Sequence, residues 1–272
     1  MSGSDAAKIG QLSEPGEYDP AMLELLQLLW GDGFLSPGGS DELDRLFEGS
    51  DIRGCEVLDI GCGLGAIDEL LVTRFGAHSV IGVDIDPSLI AGMQRRVERA
   101  GLSDRIRGVK VDGGALPFDA ASFDVVFSKD SMVQIPDKPK IYADVLRVLR
   151  PGGRFIASDW LRGGTGGYSP EMMEFFRLEG IAYNMVTLEE SAAALAGAGF
   201  EDVEIRDRHG WYLGLAQKEL AALEGRLNSV VVSRIGKERA QHFIDDWRQL
   251  VVVVSRGELR PGHLKASKSM RR

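Results

Sequence analysis

Cysteine and histidine are scarce: the 272 residues hold two of the first and four of the second. Cys55 should begin a strand and Cys62 should lie in the turn beyond it. Five strand residues span roughly 16 Å, far beyond disulfide reach. Both thiols are therefore expected to be reduced. His78, His209, His242 and His263 stand alone without metal-ligand spacing, so no metal site is expected. Positive charge is also short. Lys and Arg number 32 against 41 Asp and Glu, for a net charge of −9, which argues against non-specific binding to nucleic acid or an anionic membrane. No apolar run reaches the roughly 18 residues that cross a bilayer. Met1-Ser2-Gly3-Ser4-Asp5 has no basic segment ahead of an apolar one, so no secretion signal is expected. A cytoplasmic protein, monomeric or homodimeric, with a small-molecule partner and neither nucleic acid nor membrane, is the resulting expectation.

What is present is an ordinary core-forming composition, 44% hydrophobic, arranged around one stretch. Glu56-Val57-Leu58-Asp59-Ile60 reads as a buried strand, and Gly61-Cys62-Gly63-Leu64-Gly65 as a tight turn where backbone approaches a ligand. A helical pattern starts at Ala66 and runs to about 75. Strand–helix alternation then continues. Strands are expected at 79–84, 106–111, 123–128, 154–158 and 200–206, with Arg150-Pro151-Gly152-Gly153 as a turn. Helices are expected at 87–100, 138–149 and, from the capping box Thr187-Leu188-Glu189-Glu190, up to Gly197 or Gly199. This alternation implies a parallel sheet with helices on both faces. In such sheets ligands bind beyond the carboxyl ends of the strands. Asp59, Asp84, Asp112, Ser128 to Asp130 and Asp159-Trp160 all fall there.

Around this core lie other segments. Asp19 and Pro20 cap an apolar helix to Leu29 that must be covered. Gly31 to Gly39 is a glycine-dense loop with Phe34 at its centre, suited either to a ligand or to an ordinary connection. A short helix from Ser40 to about Phe47 follows. Residues 160–186 interrupt the rhythm, with a short helix at 171–178, and look like an insertion over the site. Two helices at about 211–228 and 236–255 lead to a basic tail, read as a solvated end, with a last short strand at 263–267.

The spacing Gly61-x-Gly63-x-Gly65 is shorter than a dinucleotide fingerprint, and Asp59 just before it would repel a pyrophosphate. An acid there suits a cation. Asp84 is placed for ribose hydroxyls and Asp112 for an exocyclic amine such as that of adenine. An ammonium, a ribose and an adenine without phosphate describe S-adenosylmethionine. Val57 to Gly65, Gly82-Val83-Asp84, Phe123-Asp124-Val125-Val126 and Leu149-Arg150-Pro151-Gly152-Gly153 resemble the class I methyltransferases. That resemblance implies an α/β, Rossmann-like, doubly wound sheet in the order 3-2-1-4-5-7-6 with strand seven antiparallel.

A narrower resemblance covers nearly the whole chain. Tyr18, Trp30 to Gly39, Ser128 to Pro139, Ser158-Asp159-Trp160 and Gly262 to Lys268 are similar to the phosphoethanolamine N-methyltransferases. It implies an amino-terminal helical lid over residues 1–50 and a cofactor domain over 51–272, with the insertion at about 160–186 and a helical segment at about 211–256. It implies cofactor contacts from Leu35, Ser36, Asp59, Gly61, Cys62, Gly63, Gly65, Asp84, Ile85, Asp112, Gly113, Ser128 and Lys129. Tyr18 matches that family's lid tyrosine and Asp130 its amine-holding aspartate. Gln134 stands where its catalytic histidine belongs. Ile181 and Ser255 occupy the positions of its phosphate-binding arginine and lysine; Trp160 replaces one of its tyrosines and Tyr183 retains another. A phosphate cannot be buried without cationic partners, so phosphoethanolamine is not the expected acceptor. The expectation is methyl transfer to a small molecule, at an amine nitrogen, with Tyr18, Asp130 and Gln134 at the reacting group and Trp160, Ile181, Tyr183 and Ser255 around it. Oxygen or sulfur acceptors, or cofactor binding without catalysis, remain as alternatives.

Overall fold

The computed structural model describes residues 19–181 and 183–270. Tyr18 therefore lies outside the described residues. Five short parallel-sheet segments alternate with helices as the hydrophobic pattern dictates: β1 Glu56–Ile60, α3 Ala66–Thr73, β2 Ser79–Asp84, α4 Pro87–Arg99, β3 Ile106–Lys110, β4 Phe123–Lys129, α5 Lys138–Val148 and β5 Leu149–Arg162. Two helices precede them, α1 Pro20–Trp30 and α2 Gly39–Phe47. After β5 come α6 Pro170–Glu179, α7 Leu188–Ala198, β6 Glu201–Asp207, α8 His209–Glu224, α9 Asn228–Ile235, α10 Lys237–Ser255 and β7 Leu259–Ser267.

Helix starts are written in side chains. Asp19, Asp86 and Ser169 each stand before a proline and accept from a backbone N–H two or three residues on. Asp137 does the same for Lys140. Thr187 and Glu190 close a reciprocal capping box.

The seven strands lie in the order β3-β2-β1-β4-β5-β7-β6. Those from β3 to β5 are parallel, and β7 runs antiparallel to both β5 and β6. Side chains alternate across the sheet. Val125 and Phe127 pack with α2, α3 and α4 on one face, through Leu46, Leu71 and Met93. Val126 packs with α5 and α7 on the other, through Tyr142 and Leu195. A third apolar cluster joins α1, α6, α8, α9 and α10 through Leu25, Phe175, Tyr212, Val231 and Trp247. It reaches the sheet through Val133 just after β4 and Leu259 in β7.

Several expectations are corrected. β5 is not confined to 154–158: it stays paired from Leu149, where a register shift opposite Phe123 and Val125 absorbs the glycine turn, and pairing with β7 carries it to Arg162. The last strand is not a short end piece but nine residues in mid-sheet. The segment expected as two helices is three, because the chain leaves helical geometry at Gly225 and again at Gly236. The basic tail is not a solvated end. Lys265 donates to the Glu48 carbonyl and Lys268 to those of Leu146 and Leu149, so these ammoniums tie the tail to the sheet's periphery. Both cysteines are free.

Candidate active site

The glycine turn after β1 is fixed by β2. Gly61 and Cys62 donate to the Val83 carbonyl at 2.8 and 3.1 Å. Gly63 donates to Asp84 Oδ2 at 3.0 Å, and Asp84 Oδ1 accepts from the Asp86 backbone at 3.0 Å. Gly61, Gly63 and Gly65 all have positive φ, which glycine alone adopts without strain. Leu35, on the loop after α1, approaches so closely that a Cβ on Gly63 would lie 3.2 Å from it. Ser36 beside it is buried.

Beneath this turn sit carboxyl groups without cations. Asp59 and Asp68 are buried side by side. No N–H or O–H donor reaches Asp59 Oδ1 or either oxygen of Asp68. Burial, reinforced by the Asp68 charge, pushes Asp59 well up; burial pushes Asp68 to about 7 and raises Asp84. Burial and the surrounding acids likewise push the Cys62 thiol up, so it is an inert packing group. Orphaned carboxyl oxygens at the end of β1, with Asp84 committed to the turn, are the reverse of a phosphate cradle. They fit a ligand that carries positive charge, as S-adenosylmethionine does.

Farther along the strand ends, Asp112 is exposed and paired with Lys110. Ile85 is partly exposed, and Gly113 lies against it. Ser128 is buried and donates to the Ile60 carbonyl at 2.8 Å, joining β4 to β1. These positions follow one edge, from the turn toward β3.

On the other side of the turn, Asp130 adopts φ +58°, a left-handed conformation uncommon for a residue with a side chain. Its Oδ1 accepts from Ser158 Oγ at 2.9 Å and its Oδ2 from Lys129 Nζ at 2.6 Å. The Lys129–Asp130 pair is buried. Asp159, within β5, accepts from the Val133 backbone at 2.8 Å, and buried Lys138 donates to the Ile135 carbonyl at 2.8 Å. Burial pushes Asp159 up to about 7, with Lys138 pulling against it. Together they pin the 3-10 turn Met132–Gln134 at the site.

Between these strand ends and the helical cluster is a pocket of about 80 Å³. It brings together Leu35, Asp130, Gln134, Trp160, Ile181 and Tyr183, six residues singled out by sequence. Ser255 is not among its lining residues: it is exposed, and its hydroxyl donates to the Val252 carbonyl. The wall that sequence reasoning missed comes from the helices: Trp30, Phe175, Glu179, Tyr212 and Trp247. Trp160 meets Tyr212 edge-on at 4.7 Å. Glu219 accepts from the indoles of Trp30 at 2.6 Å and Trp247 at 3.2 Å. Burial pushes Glu219 up to about 7, and the two indole hydrogen bonds pull it back. Tyr183 donates to Glu179 at 3.3 Å. One signal could have found part of this wall. Glu219 and Asp246 are lone acids on the buried faces of apolar helices, beside Ala216, Ala222 and Leu223 and beside Phe243, Trp247 and Leu250.

Residues 57–153 match the family model described as a methyltransferase domain. Phosphoethanolamine N-methyltransferase 1 of Zea mays is 28% identical over 254 residues, covering 93% of this chain and 49% of that protein. The sterol 24-C-methyltransferase of Aspergillus fumigatus is 35% identical over 177 residues, covering 60% and 46%. The chain spans about half the length of the curated relatives it matches first. In fold it is similar to phosphoethanolamine N-methyltransferase 2 of Haemonchus contortus, solved with phosphomonomethylethanolamine and S-adenosylhomocysteine. That match has a TM-score of 0.86 at 22% identity, over 96% of this chain and 60% of the other. The strand order, the carboxyl-lined glycine turn and the domain match agree: residues 57–153 are a methyltransferase domain, set in the seven-stranded sheet of the class I S-adenosylmethionine-dependent methyltransferase fold.

Proposed function

We propose that the chain methylates a small amine in an enclosed pocket, and that the acceptor carries a hydrocarbon body rather than a phosphate. One observation carries this reading. Trp30, Trp160, Phe175, Tyr183, Tyr212 and Trp247 surround two carboxylates, Asp130 and Glu179, and no Lys, Arg or His is among the described lining residues. Aromatic faces and carboxylates attract a cation; a phosphate in that place would be buried without a counter-charge. Lys129, beside the pocket, is already bound to Asp130. The relatives named for phosphoethanolamine support amine chemistry, and the replacement of their expected phosphate partners by Ile181 and Ser255 supports a different acceptor.

When bound, S-adenosylmethionine supplies an activated methyl group on a sulfonium. The chain's part is to align the nucleophile, exclude water and keep the nitrogen unprotonated. Residues 1–50 act as a lid in this reading, with Leu35 over the glycine turn and α1 presenting Trp30. The segment at about 160–186 closes the other side with Phe175, Glu179, Ile181 and Tyr183. Asp130 and Tyr18 orient the acceptor. Gln134 can orient but has no basic group.

Transfer of labelled methyl to a panel of amines, phenols and thiols tests this. Aliphatic amines with apolar substituents are expected to be labelled and phosphoethanolamine is not. Tyr18→Phe and Asp130→Asn should each lower kcat about ten-fold or more, the range for loss of a positioned polar group, with cofactor affinity unchanged. Wild-type turnover in both variants would remove these two residues from the reaction. The apolar lining also suits a hydroxyl or sulfur acceptor of similar bulk, and labelling of phenols or thiols instead of amines would select that second reading.

A further inference from the structure

One carboxyl of the pocket wall, Glu179, is backed by a second one buried behind it. Glu179, the last residue of α6, lines the pocket and is half-buried. Behind it Asp246 on α10 is 1% exposed. The two carboxyl groups lie side by side, close enough to share one proton. Asp246 Oδ1 receives no N–H or O–H donor, and Tyr183 donates to Glu179 Oε1. Among the described residues no lysine or arginine pairs with either carboxyl, whereas Asp130 has both oxygens occupied, one by Ser158 and one by Lys129. Of the two carboxylates in the pocket wall, Glu179 is the one with charge to offer.

We propose that Glu179, backed by Asp246, receives the acceptor's ammonium group and takes the proton the nitrogen must lose before methyl transfer. This rests on the amine reading above and supplies what Gln134 cannot. An aliphatic amine arrives mostly protonated at neutral pH, as lysine is. Its N–H bond breaks and the proton passes to the pair, which goes from one shared proton and one negative charge to two protons and none. The freed lone pair forms the new nitrogen–methyl bond; the methyl's bond to sulfur breaks, and its electrons stay on sulfur. The pair returns its extra proton to water as product leaves.

Burial raises Glu179, and burial together with the Glu179 charge raises Asp246 well up, so the pair holds a proton more tightly than free carboxyls do. The groups facing it are Tyr183 after α6, His242 on α10 and Tyr212 on α8, and Tyr212 in turn faces Glu219 on α8 and Asp130 after β4. At low pH the pair takes a second proton and loses its charge. Affinity for a cation must therefore rise with pH.

The test uses benzyltrimethylammonium, a permanent cation with an apolar body, titrated into the full chain saturated with S-adenosylhomocysteine. Tryptophan fluorescence is the readout, since Trp30, Trp160 and Trp247 line the pocket. Wild type should bind about ten-fold more tightly at pH 8 than at pH 5.5. Glu179→Gln should bind at least about 30-fold more weakly with no pH dependence, the lower bound for removing one partner of a buried charge contact. Asp246→Asn should keep part of the affinity but lose the pH dependence. Both variants should keep wild-type affinity for S-adenosylhomocysteine, which establishes that they are folded. If Glu179→Gln binds the probe as wild type does, with the same pH profile, the proposal is overturned; the same result in Asp246→Asn removes the backing role. Labelled-methyl transfer separates the two levels. Amine transfer at an unchanged rate and pH profile in Glu179→Gln sinks only this inference. Transfer to phenols or thiols alone, with no binding of the probe, sinks the amine reading as well.

Discussion

Asp84 shows what one carboxylate does for the whole cofactor turn. Its two oxygens accept from Gly63 and Asp86 at 3.0 Å each, so it sets the turn's shape and the entry to α4 together. Asp84→Ala leaves both N–H groups without that acceptor and removes the acid assigned to the ribose. A loss of about 1–3 kcal/mol in stability is expected, the cost of unsatisfied donors. Affinity for S-adenosylhomocysteine should fall at least about ten-fold on the same grounds. Urea denaturation and isothermal titration check the two separately; an unchanged binding constant would take Asp84 out of the ribose role. Asp59 and Asp84 were legible in the sequence because each ends an apolar run, where an acid has no structural reason to be. Asp68 was not. It reads as an ordinary acid in the first turn of a helix, and only the packing of α3 against β1 turns its carboxyl toward Asp59. Glu179 closes an amphipathic helix among exposed Glu174 and Arg177, and nothing local distinguishes it from them.

At the scale of elements, Gly82 decides how closely α3 and α4 can approach β2. A Cβ there would lie 2.6 Å from Cys62 Cβ, 2.7 Å from Met93 Cε and 2.8 Å from Asp68 Oδ1. The methionine end can move; the cysteine and the buried carboxyl are held by the turn and the helix. Gly82→Ala should therefore cost about 1–3 kcal/mol, the usual range for overpacking. Gly164→Ala, with nothing within 4 Å of the new methyl, should stay within about 0.5 kcal/mol of wild type. Equal urea midpoints for the two variants would contradict this packing argument. Elements bounded by a cap and a proline were legible nearly to the residue, as at Asp19-Pro20 and Asp86-Pro87. The division of residues 209–255 into three helices was not. The breaks at Gly225 and Gly236 lie inside a continuous helical pattern, and their positions follow from how α9 packs on α1, α8 and α10. The nine-residue span of β7 was hidden for a similar reason: Arg260-Pro261-Gly262 opposes strand formation locally, and pairing with β5 and β6 on either side overrides it.

Across the whole molecule, the sheet's order was legible from strand–helix alternation and the family likeness, while the helical cluster that walls the pocket was visible only as apolar faces in need of cover. That cluster and the cofactor turn share an electrostatic habit: acids buried with few cations. Asp68, Asp159 and Glu219 are each pushed up to about 7, mainly by burial. A carboxyl with a raised folded pKa binds its proton more tightly folded than unfolded. Its contribution is complete below the unfolded value near 4 and is lost as pH rises through the folded value near 7. His263 acts oppositely. Burial holds it below its usual 6.5 against the pull of Glu42, so its contribution is lost as pH falls. Three carboxyls outweigh one histidine, because each tenfold gain in proton affinity on folding is worth about 1.4 kcal/mol. The unliganded protein should thus lose at least about 2 kcal/mol of stability between pH 5.5 and pH 8, measured by urea denaturation at the two values. S-adenosylmethionine should offset part of that loss, because a positive charge at the glycine turn would relieve the repulsion between Asp59 and Asp68. The rise in Tm that it produces should be larger at pH 8 than at pH 5.5. An equal rise at both would mean that the buried pair beneath the glycine turn does not sense the cofactor's charge.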